Sequence, residues 1–515
     1  MKPFRIVLIA VAALIVSGTA PAGDLWEHSL KEAADATWHS PLASDGNEAL
    51  ATPVTDIDLD WSKAFWPSGS LLKAQPLAIR RYRELAGLNP ITFRTFTYML
   101  LQQRRADGYF DALALKLDED GAAVLSFGNN GFKRVAAGFD LMESATFGPA
   151  GDPFIGGPTR VYFAGARLGG ALLDLDMAVL CFDLNSSDGK CSGWPSTSYR
   201  MVAFDHGGFK ADMANAIEYD PDGYLFIAGK ISNSSGTAIG SAKLSAASGN
   251  LVTTYGTGGK AWYALNGSGY DPEIIASAFA GADTPGGKRF YVSGSYRPGT
   301  DASDRDGFVL SLNVGNGTYL LKQVYYEADN TGWKKDEVTA LAVLKSGKVV
   351  YAGWSETDQA DYPSLLLGRA TAITLGGDAS FCGGGLCSHP QSSLFGGTRK
   401  VRPRAIAARR SNGDLLLALD GQRRDTVVTG PWRPRQLLQL WDSTGRFQRS
   451  GTRNDFPAAT DAHIEAWSGP VEVTDSDVLL AGRRRWSDNN IDVTAARHLR
   501  LDSIFAHDFG GPTSD

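Results

Sequence analysis

The sequence predicts an all-β chain folded as a β-propeller, on three observations: a recurring pattern of paired apolar runs, the even spacing of its copies, and abundant glycine. The pattern is clearest from Thr339 to Trp354, TALAVLKSGKVVYAGW, where an apolar run, a Gly turn and a second run ending in Ala-Gly succeed one another. Copies read ANAIEYDPDGYLFIAG (Ala214 to Gly229), SAFAGADTPGGKRFYVSG (Ser277 to Gly294), AIAARRSNGDLLLA (Ala405 to Ala418) and VEVTDSDVLLAG (Val471 to Gly482). Anchors at Gly165, Gly229, Gly294, Gly353, a degenerate copy near Leu419, and Gly482 recur roughly every 60 residues, the length of a four-stranded blade with generous loops. One step back lies Thr97 to Gln102, a β-rich run without Ala-Gly, so the pattern predicts seven four-stranded blades. Each unit has one apolar face and is too small to fold alone, and radial stacking buries that face. The 59 glycines among 515 residues suit the positive-φ turns that so many short strands require.

In chain order, Met1 to Ala22 has the pattern of a signal peptide. Lys2 and Arg5 precede the apolar run Ile6 to Val16, and Ala20 and Ala22 supply the small residues for cleavage before Gly23. That run is well short of the roughly 20 residues that span a bilayer, and no later stretch is long enough either. A soluble protein of the periplasm or exterior, monomeric and without a membrane span, is expected. Residues 23–74 lack the repeat and form an irregular N-terminal segment. Within it the alternation Asp56-x-Asp58-x-Asp60 reads as a strand with one polar face rather than a calcium loop. The propeller then occupies 75–515.

Asp111 to Gly131 carries the most specific signature: Lys116-Leu117, Asp120-Gly121 and Phe127-Gly128-x-x-Gly131. Lys243-Leu244 with Tyr255-Gly-Thr-Gly-Gly259 is a second good copy, and Phe395-Gly-Gly397 and Phe509-Gly-Gly511 read as remnants. These residues resemble the delta-60 repeat of bacterial exported proteins. The resemblance implies a β-propeller and export, and its motif carries no catalytic residues. Because the chain stops soon after Gly511, the last blade lacks a strand, and a segment within Pro76 to Phe96 is expected to complete it and cover the exposed edge.

Four cysteines at local spacings, Cys181 with Cys191 and Cys382 with Cys387, predict two structural disulfides in an oxidising compartment. Near the start of the inner strand of successive copies stand Glu143, Asp212, Glu273, Asp336-Glu337, Arg404 and Glu465. Carboxylates at equivalent places would point at one axial opening, where Ca²⁺, which favours clustered oxygens, would offset their repulsion. The metal candidates are therefore Glu143, Asp212, Glu273, Glu337 and Glu465. Asp301-x-x-Asp304-x-Asp306 reads as a polar turn. No Gly-x-Ser-x-Gly elbow is present, and the seven histidines show no metal-binding spacing.

The net charge of -6 hides an asymmetry, since Arg399 to Arg500 holds 18 basic residues against 12 acidic ones. Arginines pair bidentately with anionic groups and indoles stack on sugar faces, so Arg404, Trp432, Arg435, Arg484 and Trp486 are candidates for binding an anionic glycan. An exported chain of acidic total charge is not expected to bind nucleic acid. The sequence favours a binding or interaction module for a protein or glycan over an enzyme. The alternative is a calcium-dependent hydrolase or lactonase at the channel mouth, for which no general base is evident.

Overall fold

The computed structural model describes residues 28–29, 36–39, 59–65, 74–88 and, with short gaps, 91–453, 471–473, 477–487 and 490–499. Every regular element among them is a strand, and the strands form seven antiparallel sheets in the order of the repeat. The first sheet comprises Ala74–Leu88, Ile91–Arg104, Phe110–Leu117 and Phe132–Phe139. Leu141–Phe147, Arg160–Leu168, Leu175–Asp183 and Tyr199–Val202 make the second, and Met213–Asp220, Tyr224–Asn233, Gly236–Ser245 and Lys260–Tyr263 the third. The fourth contains Glu273–Ala280, Arg289–Tyr296, Asp306–Asn313 and Tyr319–Val324, and the fifth Asp336–Val343, Val349–Ser355, Ser364–Ala370 and Leu386–His389. Arg399–Ala408, Leu415–Arg424, Trp432–Trp441 and Phe447–Arg453 form the sixth, with Ala36–His39 added outside. The seventh runs Val471–Val473, Asp477–Ser487, Asn490–Leu499, Leu59–Phe65 and His28–Ser29.

The first strand of each sheet lies against the first strand of the next, and Asp477–Ser487 of the seventh packs on Ala74–Leu88 of the first. The apolar cores consequently lie between sheets. Tyr162, Val179 and Met177 of the second cluster with Ile217, Ile227 and Leu244 of the third, while Leu479 and Ala481 of the seventh join Ile79, Met99 and Leu101 of the first. The all-β propeller architecture is as the repeat predicts, although two of the sheets have five strands and not four. The strand that completes the last sheet is a correction, being Leu59–Phe65 and not a part of Pro76 to Phe96. Those residues are consumed by the first sheet's own long hairpin, paired from Ala74↔Gln103 to Leu88↔Ile91, which also makes Arg80 to Ala86 a strand. Leu59–Phe65, just upstream, is left to pair along Asn490–Leu499.

One local device explains the repeating Ala-Gly. In six sheets the first strand carries a β-bulge at the same place: Leu77, Glu143, Asn215, Ile275, Thr339 and Arg404 are each skipped in the pairing with the second strand. The anchor residue pairs just before it, as in Gly229↔Ala214 and Gly353↔Val338. A bulge bends its strand, and here it brings a carbonyl onto the anchor's Cα. A Cβ at Gly165, Gly229, Gly294 or Gly353 would overlap the carbonyl oxygen of Leu141, Met213, Glu273 or Glu337 respectively. The two anchors that are leucines, Leu101 and Leu419, pair with Pro76 and Pro403. Where the anchor carries a side chain, a proline stands opposite it.

A second device joins neighbouring sheets. Just past the third strand of each of the second to sixth sheets, one backbone carbonyl accepts a side-chain hydrogen bond from the preceding sheet. Tyr162 Oη and Trp194 Nε1 donate to the Ala246 carbonyl at 3.1 and 2.9 Å, and Tyr291 Oη to that of Ala372 at 3.2 Å. Lys243 Nζ reaches the Val314 carbonyl at 3.0 Å, and Arg369 reaches that of Ser443. Tyr162 and Tyr291 each stand three residues before an anchor glycine; Lys243 and Arg369 occupy matching places on third strands. At the first junction, by contrast, Lys133 from the fourth strand donates to the Leu184 carbonyl.

Both expected disulfides form, Cys181–Cys191 and Cys382–Cys387, with Cα atoms 5.9 and 5.7 Å apart. Matching bridges at Phe182↔Lys190 and Ala370↔Gly377 place Cys181–Cys191 where the fifth sheet has the ion pair Arg369–Asp378. Phe381-Cys382-Gly-Gly-Gly385 is a further copy of the Phe-Gly-x-x-Gly turn, with Cys382 at φ 51° in place of Gly128 and Gly256 at φ 65° and 54°. The remnants at Phe395 and Phe509, and Met1 to Ala22, lie outside the described residues.

Asp378 gives the fold an acid sensitivity. Burial pushes its carboxyl up, but hydrogen bonds from Lys348 and from the Ser380 hydroxyl and amide, together with Arg369, outweigh that and hold it well below the usual range. A depressed folded-state pKa contributes stability that is complete above the unfolded value, about 3.9, and is lost as pH falls through the folded one. Melting curves should therefore show the advantage of the wild type over Asp378→Asn shrinking steadily below about pH 4. A constant difference from pH 7 to pH 2 would contradict this assignment.

Candidate functional site

The predicted axial ring of carboxylates does not assemble among the described residues, where no three His, Cys, Asp or Glu side chains gather to hold a metal. Register is the reason. Counted from the bulge, Glu143 is at the bulge itself, Glu273 and Glu337 are two residues before it and Asp212 is three before it. Three of the four also have structural partners. Asp212 accepts the backbone N–H groups of Phe204 and Ser232 at 2.8 and 3.1 Å, Glu273 faces Arg305 at 3.4 Å, and Glu337 accepts Trp354 Nε1–H at 2.9 Å. Glu143 is reached by water yet crowded by protein, and that crowding raises its carboxyl above the ordinary range. Glu465 lies outside the described residues.

Of the predicted glycan-binding set, Arg404 is exposed at its bulge, and its neighbour Arg402 lies over the Trp354 ring at 4.3 Å. Trp432 and Arg435 are on the third strand of the sixth sheet, Arg484 and Trp486 on the second strand of the seventh. Their side chains lie outside the described residues. Trp441 is wholly buried against His389 and Phe447, so that tryptophan is packing.

The structure instead opens two adjoining clefts where the first sheet meets the second. The larger, about 710 Å³, is bounded by the turns after the third strands, Ser126 to Asn130 on one side and Asn185 to Gly189 on the other. Its polar lining is Gln103, Ser126, Asn129, Asn130, Asn185, Ser186 and Ser187, with Lys133 and Arg134, and no carboxylate is among the lining residues. The turn backbone explains this concave shape. Gly128, Asn130 and Gly131 all have positive φ, and a Cβ at Gly128 would strike the Phe132 carbonyl and Lys133.

The smaller cleft, about 460 Å³, shares Ser126, Lys133 and Asn185 with the larger one and adds Glu84, Tyr98, Lys116, Phe127 and the segment Gly156 to Thr159. Glu84 is held from two sides, one carboxylate oxygen accepting the Tyr98 hydroxyl and the other Lys116 Nζ at 2.6 Å. Lys116 also lies 4.0 Å from the centre of the Phe96 ring, and Lys133 lies 5.3 Å from that of Phe127. Burial, then the bond to Glu84, keeps the Tyr98 phenol protonated far above its ordinary range. Lys133 has a lowered pKa because burial outweighs the attraction of Asp183, and its hydrogen bond goes to a neutral carbonyl. An anion beside Lys133 would restore what burial costs its charge. Arg134, on the exposed side, is anchored on the fully buried Asp111, its Nε at 2.8 Å.

The sequence reading missed these residues. Tyr98 stands three before anchor Leu101, as Tyr162 and Tyr291 do before theirs, and Lys116 matches Lys243 and Arg369. Aligning all copies on the anchors would have exposed both. Glu84, beyond the bulge in the one unusually long first strand, carries no such signal.

No protein-family model matches the sequence, and no curated protein matches it. Solved structures with a similar fold include the β-propeller domain of the trilobed protease from Pyrococcus furiosus, at 10% identity over 78% of this chain and 93% of that one, TM-score 0.36. The GH93 α-L-arabinofuranosidase of Fusarium graminearum is similar at 11% identity over 74% and 93%, TM-score 0.35. An α-L-arabinanase mutant of Cellvibrio cellulosa gives 12% identity over 57% and 92%, TM-score 0.25.

Proposed function

We propose that this propeller is an exported binding module whose larger cleft takes an acidic sugar. The observation that carries the reading is the lining: seven amide and hydroxyl side chains, each both donor and acceptor, around Lys133 and Arg134 with no lining carboxylate. Such a surface matches a ligand dense in hydroxyls that bears a carboxylate. Charge-assisted hydrogen bonds from the two cations would supply the stronger contacts. A glycoside hydrolase would need a pair of carboxyl groups facing the ligand, and none lines this cleft, so binding is favoured over the calcium-dependent alternative.

Two disulfides and the Met1 to Ala22 pattern support placement in an oxidising compartment, as does the resemblance to the delta-60 repeat proteins. Mass spectrometry of the periplasmic fraction should find a mature chain starting at Gly23. A full-length chain held in the cytoplasm would overturn the export reading.

Galacturonic acid, titrated calorimetrically into the purified protein, tests the ligand class. It should bind, with affinity falling at least tenfold in Lys133→Met and severalfold in Asn129→Ala, and weakening as salt is raised. Lys133 also joins two sheets, so the unstapled Asn129→Ala variant distinguishes lost binding from lost structure. Equal binding of glucose and galacturonic acid would remove the acidic specificity, and no binding of either would overturn the reading.

A further inference from the structure

Among the five junctions described above, the one at the smaller cleft departs from the inter-sheet rule. At the second and fourth junctions a tyrosine three residues before the anchor donates to the next sheet's carbonyl, and at the third and fifth a basic residue on the third strand does so. The first sheet has both, Tyr98 and Lys116, and neither makes that bond. Both turn to Glu84, and Lys133 takes over the carbonyl of Leu184. The fold therefore spends an extra lysine to leave a Glu–Lys–Tyr group at the wall of a cleft. Joining the sheets does not require that group.

From this departure and the shared wall of the two clefts, we infer that the smaller cleft is a second sugar subsite, so that the ligand is a chain of acidic sugars and not a single one. The inference rests on the acidic-sugar reading of the larger cleft. Glu84 uses two of its roughly four acceptor sites, and Lys116 one of its three donors, so the pair retains capacity for neighbouring hydroxyls of one sugar ring. Phe127, edge-on to Tyr98 with ring centres 5.8 Å apart, gives the cleft an aromatic wall. Lys133, common to both clefts, is placed to pair with the carboxylate of a sugar in either one. Gly157 lets the second sheet's loop approach, since a Cβ there would overlap Glu84 and Tyr98, whereas a Cβ on Gly156 would meet nothing within 4 Å.

The test compares galacturonic acid with its linear tetramer by calorimetry. The wild type should bind the tetramer at least tenfold more tightly than the monomer. Gly156→Phe, which places a ring in the open space of the smaller cleft, should reduce the tetramer to monomer affinity while leaving monomer binding and melting temperature unchanged. Glu84→Gln should weaken the tetramer alone. If the wild type binds monomer and tetramer equally, or if Gly156→Phe spares the tetramer's advantage, the second subsite is overturned and the first cleft stands. If the wild type binds neither sugar, both readings fall.

Discussion

Replacing Arg369 with Leu should cost about 3–5 kcal/mol of stability, read as a lowered denaturant midpoint, because it strands a buried carboxylate. Arg369 and Asp378 are 6% and 7% exposed, and Nε lies 2.6 Å from Oδ2. The same guanidinium donates to the Ser443 carbonyl of the sixth sheet and to Ser380 Oγ at 2.8 Å, so one substitution removes an ion pair and an inter-sheet bond. Lys348, 2.7 Å from Asp378, remains and places the expected loss toward the lower end. The double variant Arg369→Leu with Asp378→Leu should recover much of it, since removing both charges leaves none unpaired. A double variant no more stable than the single one would mean that the cost lies in the lost sheet contact alone.

The other large effect should come from Gly229→Ala, a single added methyl. Its Cβ would overlap the Met213 carbonyl oxygen and lie 2.8 Å from Ala214 Cα, both backbone atoms of the bulged strand. Side chains that crowd a neighbour can rotate away, but here the strand itself must move. Overpacking of this kind costs about 1–3 kcal/mol, and the rigid neighbour places Gly229→Ala at the upper end. Gly281→Ala is the control: nothing lies within 4 Å of its Cβ, and its midpoint should shift by less than about 0.5 kcal/mol. Equal effects at the two glycines would refute the explanation of the repeat.

That explanation also shows why so much of the fold was legible. The anchors are the points at which the first strand bulges into the second, so four sheets are marked there by the smallest residue available and two by a leucine opposite a proline. Spacing, sheet order and the two disulfides follow from local pattern. What sequence position could not convey was register. Glu143, Asp212 and Glu273 all precede an apolar run, but the bulge assigns them three different places along the strand, and the imagined ring dissolves. The clefts were hidden for a related reason. Lys116 and Tyr98 look like structural repeat residues, and only the bonds they decline to make, relative to Lys243, Arg369, Tyr162 and Tyr291, set them apart.

The pairing of Leu59–Phe65 with Asn490–Leu499 has a kinetic meaning. Partners such as Phe65 and Val493 are separated by most of the chain, while nearly every other strand pairs with its neighbour in sequence. Local hairpins form fast, and contacts of great sequence separation wait for loop closure. Five sheets are built wholly from consecutive strands and can collect early as the chain emerges, but the sixth and seventh stay unfinished until the last hundred or so residues arrive to meet segments made long before. Refolding should accordingly show a late phase sensitive to changes in Leu59–Phe65 and indifferent to changes in the middle sheets. Until that phase is over, the molecule carries an open strand edge, and this interval is when it is most exposed to aggregation.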